Sequence, residues 1–338
     1  MTQHRISLTT AADTLAAIPA MLGHTPENSV VVIALADNGQ GALIAAIGRV
    51  DADQAEAAAV QTADGLAHQS VDGAPVTAVI LAAIADTTHA GAALIGLEAI
   101  RDAFTAHGIT TTRALHTYSL TAGTAFTDLD NFTDGTVPDP ATTPLAIART
   151  VNGRVIAGSR ADIEARFTPT AEIPESLALA AATTMATDFL PVTFDELAAV
   201  IHAREIPSAD LIARIGLVLA TGHAEVRDAF LSMAVHGDAD AADAFTRIAA
   251  PLRGTARAQA LTIAAYFLYC TGDGAAANIA LNAAERTAER ANITLPSFTT
   301  LLTRALQAGM PPAEVKGISH VITPDYVATH IGRVQSYT

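Results

Sequence analysis

The hydrophobic period along the chain changes once, near residue 170. Up to that point apolar positions at helical spacing alternate with short β-branched runs. The pattern predicts a helix over Thr10–Leu22, strands over Val30–Leu35 and Ala42–Val50, and a helix over Asp53–His68. A strand over Val76–Ala83, a helix over Ala90–His107 and strands near Thr111–Leu120 and Thr124–Leu129 follow. This is an α/β layer. The run Asp37-Asn38-Gly39-Gln40-Gly41 reads as a hairpin turn joining the first two strands, which makes the sheet mixed rather than wholly parallel. A Pro-rich loop spans Asp134 to Pro144.

Beyond Phe167, Pro169 and Pro174 the strand signal disappears, and Ala/Leu periodicity takes over. Helices are expected over Pro174–Asp188, Thr193–Ala203, Ser208–Ala220, Glu225–His236, Ala239–Ile248, Ala256–Cys270, Gly274–Ala291 and Pro296–Ala308. The expected organisation is therefore an α/β domain over 1–170 and an all-α domain over 171–338, a helical bundle or array. Its most specific part is the join at TGDGAAANIAL. There Ala275, Ala276, Ala277 and Ala280 permit a close crossing with Ala260, Ala264 and Ala265, as in one tetratricopeptide-like helix pair. No second copy recurs at a period near 34 residues, so a repeat solenoid is not supported.

Composition narrows the function classes. The 338 residues are 50% hydrophobic, enough for a core in each of two domains. With 34 acidic residues against 19 basic ones the net charge is −15, the wrong sign for a surface that tracks phosphates. No direct contact with nucleic acid is expected. One cysteine, Cys270, allows no intrachain disulfide and fits a reducing compartment. No secretory leader and no membrane span are expected from the apolar runs, which points to a soluble cytoplasmic protein.

Several segments together resemble a known family. They are MLGHTPENSVVVIAL, GRVD at Gly48–Asp51, VNGRVIAGSRADIEARF at Val151–Phe167, VRDAF at Val226–Phe230 and AYFLYCTGDGAAANIAL. In matching order across nearly the whole chain, they resemble domain of unknown function 4192, an actinobacterial family also found in phages. The resemblance implies no reaction. It implies a cysteine pair after the last strand of the α/β layer in many members, whereas this chain reads FTDLDNFTDGTVPDP there. Any metal site or disulfide built on those cysteines is absent here.

The candidate chemistry concentrates where a helix ends on Gly23 and a buried strand begins. Gly23, His24, Glu27, Asn28 and Ser29 could supply an acid/base and hydroxyl cluster, or form a turn whose side chains bond the backbone. Arg154, Ser159 and Arg160 belong to the one arginine-rich stretch of the chain. Ser159 and Arg160 precede a helix, where they could hold an anion or serve as N-cap and ion-pair partners. The oxygen-rich turn of Asp128, Asp130, Asn131, Asp134 and Gly135 lacks the calcium-loop spacing, because Phe132 and Thr133 occupy the fifth and sixth positions. His202 and Glu205 have no further ligands for zinc or a di-metal site. There is no G-x-S-x-G, no phosphate loop and no dinucleotide fingerprint, and Cys270 sits on an apolar face.

No catalytic residue, metal or cofactor follows from these signals, and whether the chain is an enzyme stays open. Two readings survive. The first is a non-enzymatic interaction or scaffold protein that binds a protein partner or associates with itself. The alternative is an enzyme or binding protein for a small anionic ligand, using the Gly23–Ser29 loop with Arg160.

Overall fold

The computed structural model describes residues 10–335 apart from 40, 72, 152 and 153. Gln40 of the expected hairpin turn and Asn152 and Gly153 of the family-like segment lie outside the described residues. The chain forms two compact units, Met1–Asp162 and Ile163–Thr338.

In the first unit the elements run α1 (Ala11–Leu22), β1 (Ser29–Asp37), β2 (Ala42–Asp51), α2 (Ala52–Ala55), α3 (Ala59–Ala67), β3 (Ser70–Val71) and β4 (Ala74–Ile84). They continue as α4 (Ala90–Ala106), β5 (Thr110–Thr117), β6 (Ala125–Asp128), β7 (Thr133–Thr136) and α5 (Pro144–Val151), and α6 (Arg160–Ala165) runs across the boundary between the two units. The main sheet has the order β2-β1-β4-β5-β6-β7, with β3 paired to β4. Among the described strands β4 and β5 pair in parallel and the other pairings are antiparallel. The sheet is mixed because β1 and β2 form a hairpin whose last pair is Asp37 with Ala42, as the Gly-rich turn predicts. Gly39 sits at φ 79 and donates its N–H to Asp37 Oδ1 at 2.8 Å.

β1 is apolar on both faces because it lies between β2 and β4 with helices covering each side. Val30, Val32 and Ala34 pack with Ala55, Leu97, Ile100 and Phe104 from α2 and α4. Val31 and Ile33 point the other way, onto Leu15 and Ile18 of α1. The α4 contact demands a glycine: a Cβ on Gly96 would stand 2.3 Å from the Ala55 Cβ.

Some local structure escapes the pattern. The expected helix over 53–68 is broken between α2 and α3. The Pro-rich loop contains β7, where Gly135 lies under the Phe126 ring, and a 3-10 turn capped by Asp139, whose side chain accepts from Ala141 N at 2.9 Å. Such short polar strands carry no hydrophobic period for a sequence reading to find.

Among its described residues the second unit has helices joined by loops and no strand. It comprises α7 (Glu175–Met185), α8 (Phe189–Ala203), α9 (Ala209–Ala220), α10 (Ala224–Ala229), α11 (Asp238–Ala249) and α12 (Gly254–Cys270). α13 (Gly274–Ala291), α14 (Ser297–Gln307), α15 (Pro312–His320) and α16 (Pro324–His330) complete it. α12 is the central helix, buried from Ala256 to Tyr269 by α9, α11, α13 and α15. An aromatic chain fills this core, with Phe245 stacked on Phe267 at 6.0 Å and Tyr266 edge-on to Phe267 at 5.1 Å.

α12 and α13 form the expected small-residue pair. Ala260, Ala264, Ala276, Ala277 and Ala280 are all fully buried, and the turn between the helices places Gly272 at φ 78 with Asp273 capping Ala276.

Two arginines hold the segment before α7 within the second unit. Arg257, 3% exposed, donates to the carbonyls of Phe167 and Ala249, while Arg253 donates to Thr170 O and Thr170 N donates to Ala250 O at 2.9 Å. The extended segment before α7 is thereby tied to the α11–α12 corner. Burial and the neighbouring Arg253 and Arg290 push the Arg257 guanidinium down to about 10, still charged at neutral pH.

Candidate functional site

The Gly23–Ser29 loop begins where α1 stops. Gly23 takes φ 83, a conformation that L side chains avoid, and its N–H reaches Pro19 O at 2.8 Å. The chain then runs beside a segment far along the sequence. His24 forms a parallel bridge with Ala157, Ala157 N donates to Gly23 O at 2.9 Å, and Thr25 N donates to Ala157 O at 3.2 Å. The two arms of the sequence-derived site are thus neighbours through their backbones.

Their side chains have differing surroundings. His24 is buried at 1% exposure, whereas Glu27 and Arg154 are exposed. Ser159 and Asp162 form a reciprocal cap: Asp162 N donates to Ser159 Oγ at 3.2 Å, and Ser159 N donates to Asp162 Oδ2 at 2.8 Å. The start of α6 therefore already carries a carboxylate. Arg160, its first residue, is half-buried.

Asn28 and Ser29 stitch strand ends together. Asn28 adopts φ 43, and its Oδ1 accepts from Asp86 N at 3.0 Å while its Nδ2 donates to Asp86 Oδ2 at 3.4 Å. Its carbonyl accepts from Ala52 N at 2.8 Å. Ser29 Oγ accepts from Arg49 Nε at 2.9 Å and donates to Glu27 O, and Arg49 also pairs with Asp51. This joint lies beside the carboxyl end of β4, since Ser29 pairs with Ile84.

Asp86 is the hub of the joint. Its Oδ1 accepts from Thr88 N at 2.9 Å, His89 N at 3.0 Å and His89 Nδ1 at 2.8 Å, which turns the chain into α4. The hydrogen bond from the His89 ring holds the Asp86 carboxyl below its usual value, and the same bond, aided by Asp53, raises His89 against a modest desolvation. With His89 protonated, Nδ1 is the donor.

Arg49, Asp51, Asp86 and His89 were not candidates from the sequence. Arg49 and Asp51 do stand in GRVD, and Asp86-Thr87-Thr88-His89 has the form of an Asx turn before a helix. Chemically the cluster is a polar fastening. Ser29 Oγ is engaged by Arg49 and Glu27 rather than by a general base. Among the described residues no group of three or more His, Cys, Asp or Glu side chains is arranged to hold a metal.

The remaining candidates are occupied locally. Asp128 accepts from Asp130 N, Asn131 N and Asn131 Nδ2 at 3.0 to 3.2 Å. Burial pushes its carboxyl up, but the Asn131 side chain and these backbone amides outweigh that and lower it. His202 lies edge-on to His236, ring centroids 6.0 Å apart. Burial pushes the half-buried Cys270 thiol up to about 11, so it is protonated and a poor nucleophile at neutral pH.

With this geometry in view, one comparison with known proteins is decisive. A family model described as "Domain of unknown function (DUF4192)" matches residues 12–313. The chain belongs to this family. The DUF4192 match runs through both compact units and includes Gly23, Ser29, Asp86, His89 and Arg160. Neither the curated proteins nor the solved structures contain a match.

Proposed function

We propose that this DUF4192 protein is a non-enzymatic interaction protein whose helical unit presents an apolar surface to another protein, a separate partner or a second copy of the chain. The observation that carries the reading is the exposure of α7. Of its eleven residues, ESLALAAATTM, only Ala178 is buried, while Leu177 is 41% and Leu179 55% exposed. A 3-10 turn at Ala186–Asp188 separates α7 from α8, which buries Phe194, Leu197, Ala198 and Ile201. Leu177 and Leu179 stand two positions apart and so on different sides of α7, each an apolar side chain left for another surface to cover.

The experiment is sedimentation velocity on the full chain over a range of concentrations, with Leu177→Glu/Leu179→Glu as the comparison. Concentration-dependent association of the parent, lost in the double variant at an unchanged melting temperature, supports the reading. Its second arm adds a hydrophobic dye and neutral lipid vesicles. A monomeric parent that binds no dye at α7 overturns the proposal, as does partition of the parent into the vesicles.

A second reading has one observation in its favour, the ladder that seats the Gly23–Ser29 loop beside Ala157 and hence beside Arg154–Arg160. An anionic ligand there would meet the Asp162 carboxylate at the start of α6. A thermal shift with inorganic phosphate or a dicarboxylate that Arg160→Ala removes would favour this reading over the first.

A further inference from the structure

The hairpin turn between β1 and β2 holds a reactive dipeptide. In an Asn-Gly pair the backbone nitrogen of the glycine can attack the side-chain carbonyl carbon of the asparagine, because no Cβ crowds the approach. Asn38 and Gly39 form such a pair, and the other one, Asn152-Gly153, lies outside the described residues. Asp37, Asn38 and Gly39 are all exposed, and a Cβ built on Gly39 would meet no atom within 4 Å. The turn is open to the water that the reaction consumes.

Asp37 adds a base. The Gly39 N–H donates to Asp37 Oδ1 at 2.8 Å, within reach for proton transfer from that nitrogen as it attacks.

The other described asparagines lack this arrangement. Asn28 is held through both side-chain heteroatoms to Asp86, and the residue after it, Ser29, is fully buried. Asn131 donates its Nδ2 to Asp128 Oδ2 at 3.0 Å and is followed by Phe132. Asn278 and Asn282 lie within α13, followed by the buried Ile279 and Ala283. Asn292 is followed by Ile293, whose N–H is committed to Ala288 O at 3.0 Å. Each of these following residues also carries a Cβ.

We propose that Asn38-Gly39 is a self-modification site, at which the chain deamidates with Asp37 as the proton acceptor. Gly39 N bonds to Asn38 Cγ and its proton passes to Asp37. The Cγ–Nδ2 bond then breaks, the proton returns to the departing nitrogen, and ammonia leaves behind a five-membered imide. Water adds to one of the two imide carbonyls and opens the ring, giving aspartate or isoaspartate. Water is the only co-reactant. Either product adds a carboxylate beside Asp37 in a chain of net charge −15. Isoaspartate also lengthens the main chain by a methylene between β1 and β2, next to their last ladder pair, Asp37 with Ala42. The proposal is independent of the helical interaction surface.

The test is incubation of the full chain in mildly alkaline buffer, with peptide mapping by mass spectrometry at intervals and the isolated peptide 35–43 as the clock. The mass gain of amide-to-acid conversion is expected at Asn38 ahead of the other described asparagines, with isoaspartate among the products. Asn38→Ser should abolish the gain at that site, and Asp37→Ala should slow it about tenfold or more. Both positions are exposed, so both variants should melt near the parent temperature. An Asn38 still intact when the isolated peptide has fully converted overturns the proposal. So does faster conversion at Asn28, Asn131, Asn278, Asn282 or Asn292, or an Asp37→Ala rate equal to or above that of the parent.

Discussion

α12 and α7 are both apolar helices of the same unit, and they meet opposite fates. α12 carries Arg257, Gln259 and Thr262 in its sequence and is nonetheless buried along almost its whole length. α7 has one charge, Glu175, in its eleven residues and buries only Ala178. The difference teaches that apolar content does not decide burial. α12 is enclosed because four helices close on it and because two of these polar side chains find partners inside, Arg257 on main-chain carbonyls and Thr262 on Ala258 O at 2.8 Å and Thr299 Oγ1 at 2.7 Å, whereas Gln259 Oε1 is buried with no partner among the described residues. α7 precedes that cluster and has α9 as its main neighbour.

The contrast can be broken at its strongest point. Phe267 is fully buried between Phe245 and Tyr266, so Phe267→Ala should lower stability by about 3 to 5 kcal/mol, read by chemical denaturation. A loss below 1 kcal/mol would mean that α12 is not the centre of the core. The α12–α13 crossing is the next test. Ala276→Leu adds volume to a face with no exposure and should cost about 1 to 3 kcal/mol, and an unchanged melting temperature would show that the crossing is open.

On the other side of the comparison, Leu179→Glu should change stability by no more than about 0.5 kcal/mol, because the side chain is 55% exposed. A large loss there would place α7 in the core and remove the basis of the interaction reading.

The smallest effect belongs to the α/β unit, where exposed polar groups are paired rather than buried. The Asp86–His89 bond raises His89, so its contribution is present below the ordinary histidine value of 6.5 and is lost as pH rises through the folded value. Asp86 is lowered, so its contribution is present above 3.8 and is lost as pH falls through the folded value. Asp86→Asn should bring the His89 titration midpoint, measured by NMR of the ring protons, down toward 6.5. A midpoint that does not move would show that the bond is not formed in solution.

These particulars divide what could be read in advance from what could not. The run Val30–Leu35 announced a central strand because apolar β-branched residues with no polar alternation need cover on both faces, and α1 and α4 provide it. Thr133–Thr136 gave no such notice, since its pairing depends on β6 and on Phe126 lying over Gly135. Asn28 and Ser29 were visible as polar residues at a strand start. Their partners were not, because Asp86 is 58 positions from Asn28 and Arg49 is 20 from Ser29.

The sequence by itself determined the order of the architecture, a mixed α/β sheet followed by helices, and the small-residue pair of α12 and α13. Periods of two and of 3.6 residues, and the bias of Gly and Pro toward turns, are local properties that neighbours in the chain already express. Only the tertiary structure decided which apolar helix is enclosed and that Asn28 and Ser29 fasten strand ends. Burial and hydrogen-bond partnership are set by groups brought together across tens of residues, and no local period encodes them.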